Sequence, residues 1–166
     1  MTQSVVLGVG NVLLTDDGVG VHAARQLQKL LQQRTDVQVV DGGTLSFTLS
    51  PLLESAQRLI VLDAAQLQAS PGTVRTFFDR QFDAFLGKAK LSVHEVSLVD
   101  LFDIARLTNT LPAQRVLIAV QPQICTWGES LTPALNTAMA QIVSIVKELL
   151  DAWPPQCDPA DEVDKA

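Results

Sequence analysis

Arg58-Leu59-Ile60-Val61-Leu62-Asp63-Ala64 contains four aliphatic residues in succession with no polar alternation. A strand of that kind is covered on both faces, which is the habit of a parallel strand inside an α/β sheet. Asp63 stands where this strand stops, at the carboxyl edge of the sheet, where open α/β folds place their ligands. Taken alone, the stretch is equally compatible with Asp63 capping the turn that follows.

Working outward, Ser4 to Val9 is a second apolar run, closed by Gly10-Asn11, and reads as the first buried strand. A polar loop, Thr15-Asp16-Asp17-Gly18, leads into an amphipathic helix with Val21, Ala24, Leu27, Leu30 and Leu31 at helical spacing, predicted to reach about Gln33. Val37 to Val40 is a short strand ending at Asp41-Gly42-Gly43-Thr44, and a short helix from Phe47 to Ala56 precedes the Asp63 strand. Two βαβ units result, and their handedness lays the strands parallel in one sheet. Thr73 to Phe78 mixes polar with apolar residues and reads as an edge strand, expected to be antiparallel. One or two helical turns over Gln81 to Leu86 precede a loop, Gly87 to Val93, that delivers His94. A largely apolar helix from Val96 to Leu107 follows, and Arg115 to Val120 is the last buried strand. Thr132-Pro133 reads as an N-cap and first helical residue, opening a helix that ends before Trp153-Pro154-Pro155. The expectation is a three-layer α/β/α sandwich with a mostly parallel, twisted sheet, formed by a single domain over residues 1–153. The acidic, proline-bearing residues 154–166 read as a disordered tail.

Composition limits the functions open to this chain of 166 residues, 47% of them hydrophobic, which is enough to fill one core. The net charge is −6, and most of it falls on residues 151–166, with five acids against one base. A nearly neutral body with an acidic tail offers nothing to nucleic acid or anionic lipid. No apolar run approaches the ~20 residues that cross a bilayer, and no basic leader precedes the first strand, so a cytoplasmic protein is expected. Cys125 and Cys157 form no C-x-x-C pair, and Cys125 reads as an ordinary buried thiol. Gly8-Val9-Gly10 opens no dinucleotide site, because the G-x-G-x-x-G fingerprint would need glycine where Leu13 stands, and Asp16 and Asp17 would repel a pyrophosphate.

In a parallel sheet the loops after the strands gather on one edge, which collects Asp16, Asp17, Asp41 and Asp63. Carboxylates without matching cations raise one another's pKa, and a bound metal ion resolves that conflict. His94 would add the nitrogen donor that transition metals favour over Mg²⁺ or Ca²⁺. The spacing alone is weakly specific, and a lone histidine is more often an ordinary hydrogen-bonded one, as His22 on the first helix is expected to be.

Six blocks carry a more specific signal. In order they are Leu7 to Val21, Asp41-Gly42-Gly43-Thr44, Leu59 to Ala64, Pro71-Gly72-Thr73, Ser92-Val93-His94-Glu95-Val96 and Gln121-Pro122. Together they resemble the hydrogenase maturation protease family, cytoplasmic endopeptidases that remove a C-terminal extension from the large-subunit precursor of a [NiFe] hydrogenase after nickel insertion. The resemblance spans residues 4 to about 150. It implies that Asp17, Asp63 and His94 are the catalytic and metal-binding residues, with Asp16 and Asp41 as further candidates. The metal it implies is nickel, that of the substrate, for which other divalent transition metals are expected to substitute. The implied partner is the precursor of the large subunit, met by a monomer, with no nucleic acid and no membrane. One departure stands out: the family's first acid is commonly Glu, and Asp17 is one methylene shorter. No G-x-S-x-G or H-E-x-x-H motif is present, so serine and zinc-protease chemistry find no support. A nickel-binding chaperone or sensor of the same fold is the alternative function.

Overall fold

The computed structural model describes residues 4–88 and 97–153. Five strands form one sheet: β1 (Ser4–Gly8), β2 (Val37–Asp41), β3 (Arg58–Ala64), β4 (Val74–Phe78) and β5 (Gln114–Val120), in the order β2-β1-β3-β5-β4. All pairs are parallel except β4 with β5, which is antiparallel, so β4 closes one edge as its mixed sequence predicts. The helices are α1 (Val19–Leu30), α2 (Ser50–Ser55), α3 (Arg80–Lys88), α4 (Leu98–Leu107) and α5 (Pro133–Ala152).

Alternation along the strands sorts the core into two layers. Val6, Ile60, Leu62, Val116 and Ile118 face α1 and α5, whereas Val5, Leu7, Leu59, Val61 and Leu117 face the side holding α2, α3 and α4. The aliphatic run of β3 is thus buried from both sides, as a parallel strand with helices on each face must be. The chain reaches α1 on one face after β1, then crosses back by α2 on the other face before entering β3. The connections therefore leave β1 and β3 in opposite directions, which opens a crevice between their carboxyl ends.

Several boundaries differ from the sequence reading for visible reasons. α1 stops at Leu30 instead of about Gln33, because Arg34 is held outside the helix in ion pairs with Asp36 and with Asp151 of α5. α4 starts at Leu98, where Ser97 and Asp100 form a reciprocal capping box that the apolar pattern concealed. Phe47–Leu49 is a 3-10 turn, and the α-helix follows with Pro51 in its first turn. The candidate tail, residues 154–166, lies outside the described residues.

One close approach sets the height of α1 over the sheet. A Cβ on Gly20 would stand 2.1 Å from the Leu62 carbonyl oxygen and 2.5 Å from that of Val9, so the helix backbone rests directly on β3. Neither neighbour is a flexible side chain that could swing aside. Gly20→Ala is accordingly expected to destabilise the protein by about 2–3 kcal/mol, read as a lower midpoint in urea with an unchanged m-value. A variant as stable as the parent would show that α1 is free to lift from β3.

Candidate active site

Asp63 follows Leu59 and Val61 in the alternation of β3, which places its side chain on the face covered by α2, α3 and α4. It lines a cavity of about 770 Å³, whose other walls include Leu117, Phe77, Phe85 and Leu98. Burial pushes the carboxyl well above the usual carboxylate range, the negative charge of Asp17 pushes it further, and a hydrogen bond from the Ala64 backbone N–H acts the other way. The loop after Asp63 is fixed by Gln121, which is buried at the end of β5. Its Oε1 accepts from Leu67 N at 2.6 Å, and its Nε2 donates to Gln66 Oε1 and to the Pro122 carbonyl.

Asp17 sits across the crevice in a 3-10 turn, Thr15–Gly18, that joins β1 to α1. One carboxylate oxygen accepts from Asn11 N at 2.9 Å, and Asn11 Oδ1 in turn accepts from Leu13 N at 2.9 Å. Gly10 permits this fold-back: its φ is +140°, and a Cβ there would lie 1.9 Å from the Asp17 carbonyl oxygen. Among the described residues neither Asp17 nor Asp63 takes part in a salt bridge. The charge of Asp17 acts on Asp63 and neither carboxylate is paired with Lys or Arg among the described residues, an arrangement that favours uptake of a cation or a proton.

Asp16, one residue earlier, is placed very differently. It is fully buried and accepts hydrogen bonds from Gln123 N, Ile124 N, Thr132 N and the Thr132 hydroxyl. Burial is the largest single influence and would raise its pKa, but these hydrogen bonds together outweigh it and hold the carboxyl below its ordinary value. Thr132 occupies the N-cap position of α5, yet its hydroxyl donates to Asp16 instead of capping a helix N–H. The sequence presents Asp16 and Thr132 as unrelated loop residues more than 100 positions apart, so only the fold reveals the clamp.

Asp41 is turned toward α1. Its carboxylate pairs with Arg25 at 2.9 Å and accepts from Gly43 N, an arrangement that neutralises its charge and shapes its own turn. His22, expected to be hydrogen-bonded, instead has a buried Nε2 with no partner among the described residues, and burial, then Arg25, lowers its pKa against the pull of Asp41. Cys125, expected to be buried, is exposed on the loop after β5. Burial of the thiol itself, then the charges of Asp17 and Asp16, raise its pKa, while a hydrogen bond from Asp17 N–H lowers it. His94 lies outside the described residues, but Lys88 and Leu98, which flank segment 89–96, both line the cavity that contains Asp63.

The chain was compared with known proteins. The hydrogenase maturation protease family matches residues 21–149. The hydrogenase expression/formation protein HupD of Rhodobacter capsulatus is 35% identical over 150 residues, covering 90% of this chain and 71% of that protein. HoxM of Cupriavidus necator, described in the same words, is 36% identical over 150 residues, with 90% and 74% covered. Among solved structures, the hydrogenase maturating endopeptidase HybD from E. coli superposes with a TM-score of 0.80 at 29% identity, covering 91% of this chain and 93% of that one.

Two predictions separate the neighbouring acids. Asp16 has a lowered folded pKa, so its contribution is complete above the unfolded value of about 4 and is lost as pH falls through the folded value. Asp16→Asn should cost about 2–3 kcal/mol at neutral pH and progressively less in acid, as measured by urea unfolding across pH. Asp63 has a raised folded pKa, so the native state keeps a proton that the unfolded chain releases, and stability falls as pH rises from about 4 through the folded value. In the presence of a chelator, Asp63→Asn should therefore raise the melting temperature at neutral pH by a few degrees, with the gain vanishing in acid. A gain independent of pH would remove the electrostatic explanation.

Proposed function

The chain belongs to the hydrogenase maturation protease family, and from that premise we propose that it is a nickel-checking endopeptidase. In this reading it removes the C-terminal extension of a [NiFe] hydrogenase large-subunit precursor once nickel has been inserted. The observation that carries the proposal is the placement of Asp17 and Asp63 at the β1/β3 crevice, where the charge of Asp17 acts on Asp63 and neither has a cationic partner among the described residues. Burial and then the charge of Asp17 hold the Asp63 carboxyl above its ordinary range, and a divalent ion brought by the substrate would counter both.

The nickel is the substrate's cargo, and this chain supplies side chains that recognise it. In the proposed scheme Asp17 and Asp63 offer oxygens and His94 an imidazole nitrogen, a donor set suited to a first-row transition metal. Three ligands leave coordination positions for groups of the precursor, so metal and protein are recognised together. Asp17 is held by Asn11 at the end of a short turn, which sets its reach. Engagement of the nickel places the scissile peptide beside the crevice, where water adds to the acyl carbon, the C–N bond breaks and the leaving nitrogen takes up a proton. The 3-10 turn and Gln121 contribute by positioning, since they fix the two loops against which the precursor is aligned.

No helix among the described residues is long and apolar enough to cross a membrane. A cytoplasmic monomer acting on a soluble precursor is part of the proposal.

The test is cleavage of purified precursor, nickel-loaded and nickel-free, by wild type and variants. Only the nickel-loaded form should be cut. His94→Ala and Asp63→Asn should each lower the rate by at least about a hundredfold without loss of fold, and Asp17→Glu, which restores the family's commoner acid, should stay within about threefold of wild type. Equal cleavage of the two precursor forms, or full activity in His94→Ala, would defeat the nickel-checking mechanism.

A further inference from the structure

The loop before Asp17 and the loop after β5 are stitched into one surface. Leu14 and Gly128 form a parallel bridge, Thr15 N donates to Gly128 O at 2.7 Å, and Gly128 N donates to Leu13 O at 2.9 Å. The Thr15 hydroxyl donates to the Ile124 carbonyl at 2.7 Å and accepts from Thr126 N at 3.2 Å, while Asp16 ties the same loop from below. This platform displays three large apolar side chains to solvent: Leu13 at 44% exposure, Ile124 at 46% and Trp127 at 82%. The other exposed large hydrophobics, Leu30, Phe47, Phe78 and Leu107, lie on separate elements. Single exposed apolar residues need no explanation, but an exposed tryptophan with two aliphatic neighbours on a preformed platform marks an interaction surface.

We propose that Leu13, Ile124 and Trp127 form the docking lip for the polypeptide substrate, receiving an apolar surface of the hydrogenase large-subunit precursor beside the crevice. This inference rests on the endopeptidase reading and adds the means by which the precursor is held. Continuity with the site is direct. Asn11, whose N–H holds the Asp17 carboxylate, accepts from Leu13 N through its side chain, and the Asp16 carboxylate beside Asp17 accepts from Ile124 N. The body of the chain is nearly neutral in net charge, which leaves apolar burial as the main source of affinity at this surface.

The end of this sequence is a poor occupant. Residues 154–166 contain no Leu, Ile, Met, Phe or Trp. Because the platform is held by backbone hydrogen bonds, little ordering is needed when a partner covers it.

Binding of nickel-loaded precursor is measured by calorimetry and its cleavage by steady-state kinetics, for wild type, Trp127→Ala, Ile124→Ser and Leu107→Ala. Leu107, 85% exposed at the end of α4, is the matched control because it stands at the opposite edge. Trp127→Ala should weaken binding and raise KM by about tenfold or more with kcat within about twofold, and Ile124→Ser should do so to a smaller extent. Leu107→Ala should change neither. The thermal midpoint of each variant, expected within a few degrees of wild type, reports whether the fold is intact. Unchanged binding in Trp127→Ala overturns the proposal. So does self-association of the wild type that Trp127→Ala abolishes, since the lip would then belong to a second copy. If the wild type binds precursor through Trp127 but cuts neither form, the docking lip stands and the endopeptidase reading fails. If binding and cleavage are intact without Trp127, the reverse holds.

Discussion

Everything at the site depends on the chain leaving β1 and β3 in opposite directions. A right-handed crossover on one face must be followed by one on the other face if β3 is to pair with the free side of β1. The crevice so created is framed by backbone and needs no side chain to hold it open. The ends of β1 and β3 are thereby compelled to face each other, which brings Asp17 within reach of Asp63. The electrostatic conflict between Asp17 and Asp63 is thus a consequence of topology, built from two strands whose interiors are apolar and unexceptional.

How much of this could be read beforehand depends on how local each determinant is. The strands were legible because continuous aliphatic runs such as Leu59 to Leu62 have few other uses in a chain of this size. The mixed composition of Val74–Phe78 marked the antiparallel edge, whereas the order β2-β1-β3-β5-β4 came only with the fold. Asp63 and Asp17 were legible as site candidates because they end or follow strands of that sheet.

What escaped the sequence was long-range and polar. The same loop dipeptide supplies Asp16 and Asp17, and nothing in its composition tells them apart, yet the tight 3-10 turn sends one side chain inward to Thr132 and the other toward the crevice. Gln121 was visible only through the family resemblance, and its task of holding the loop after Asp63 became visible with the fold. The exposure of Cys125 was missed because cysteine is usually buried, whereas here the loop after β5 is spent on zipping to its neighbour and has no core to enter.

The buried Asp16 has a wider mechanical consequence. It grips the first residues of α5, the longest helix, with 20 residues and a length of about 30 Å. At the far end of that helix Asp151 is grasped by Arg34, and the Trp153 carbonyl and ring meet Arg58. α5 is therefore a strut anchored at both ends, with its apolar stripe bonded along the sheet between them. One continuous helix thus joins the rim beside Asp17 to the opposite edge of the molecule.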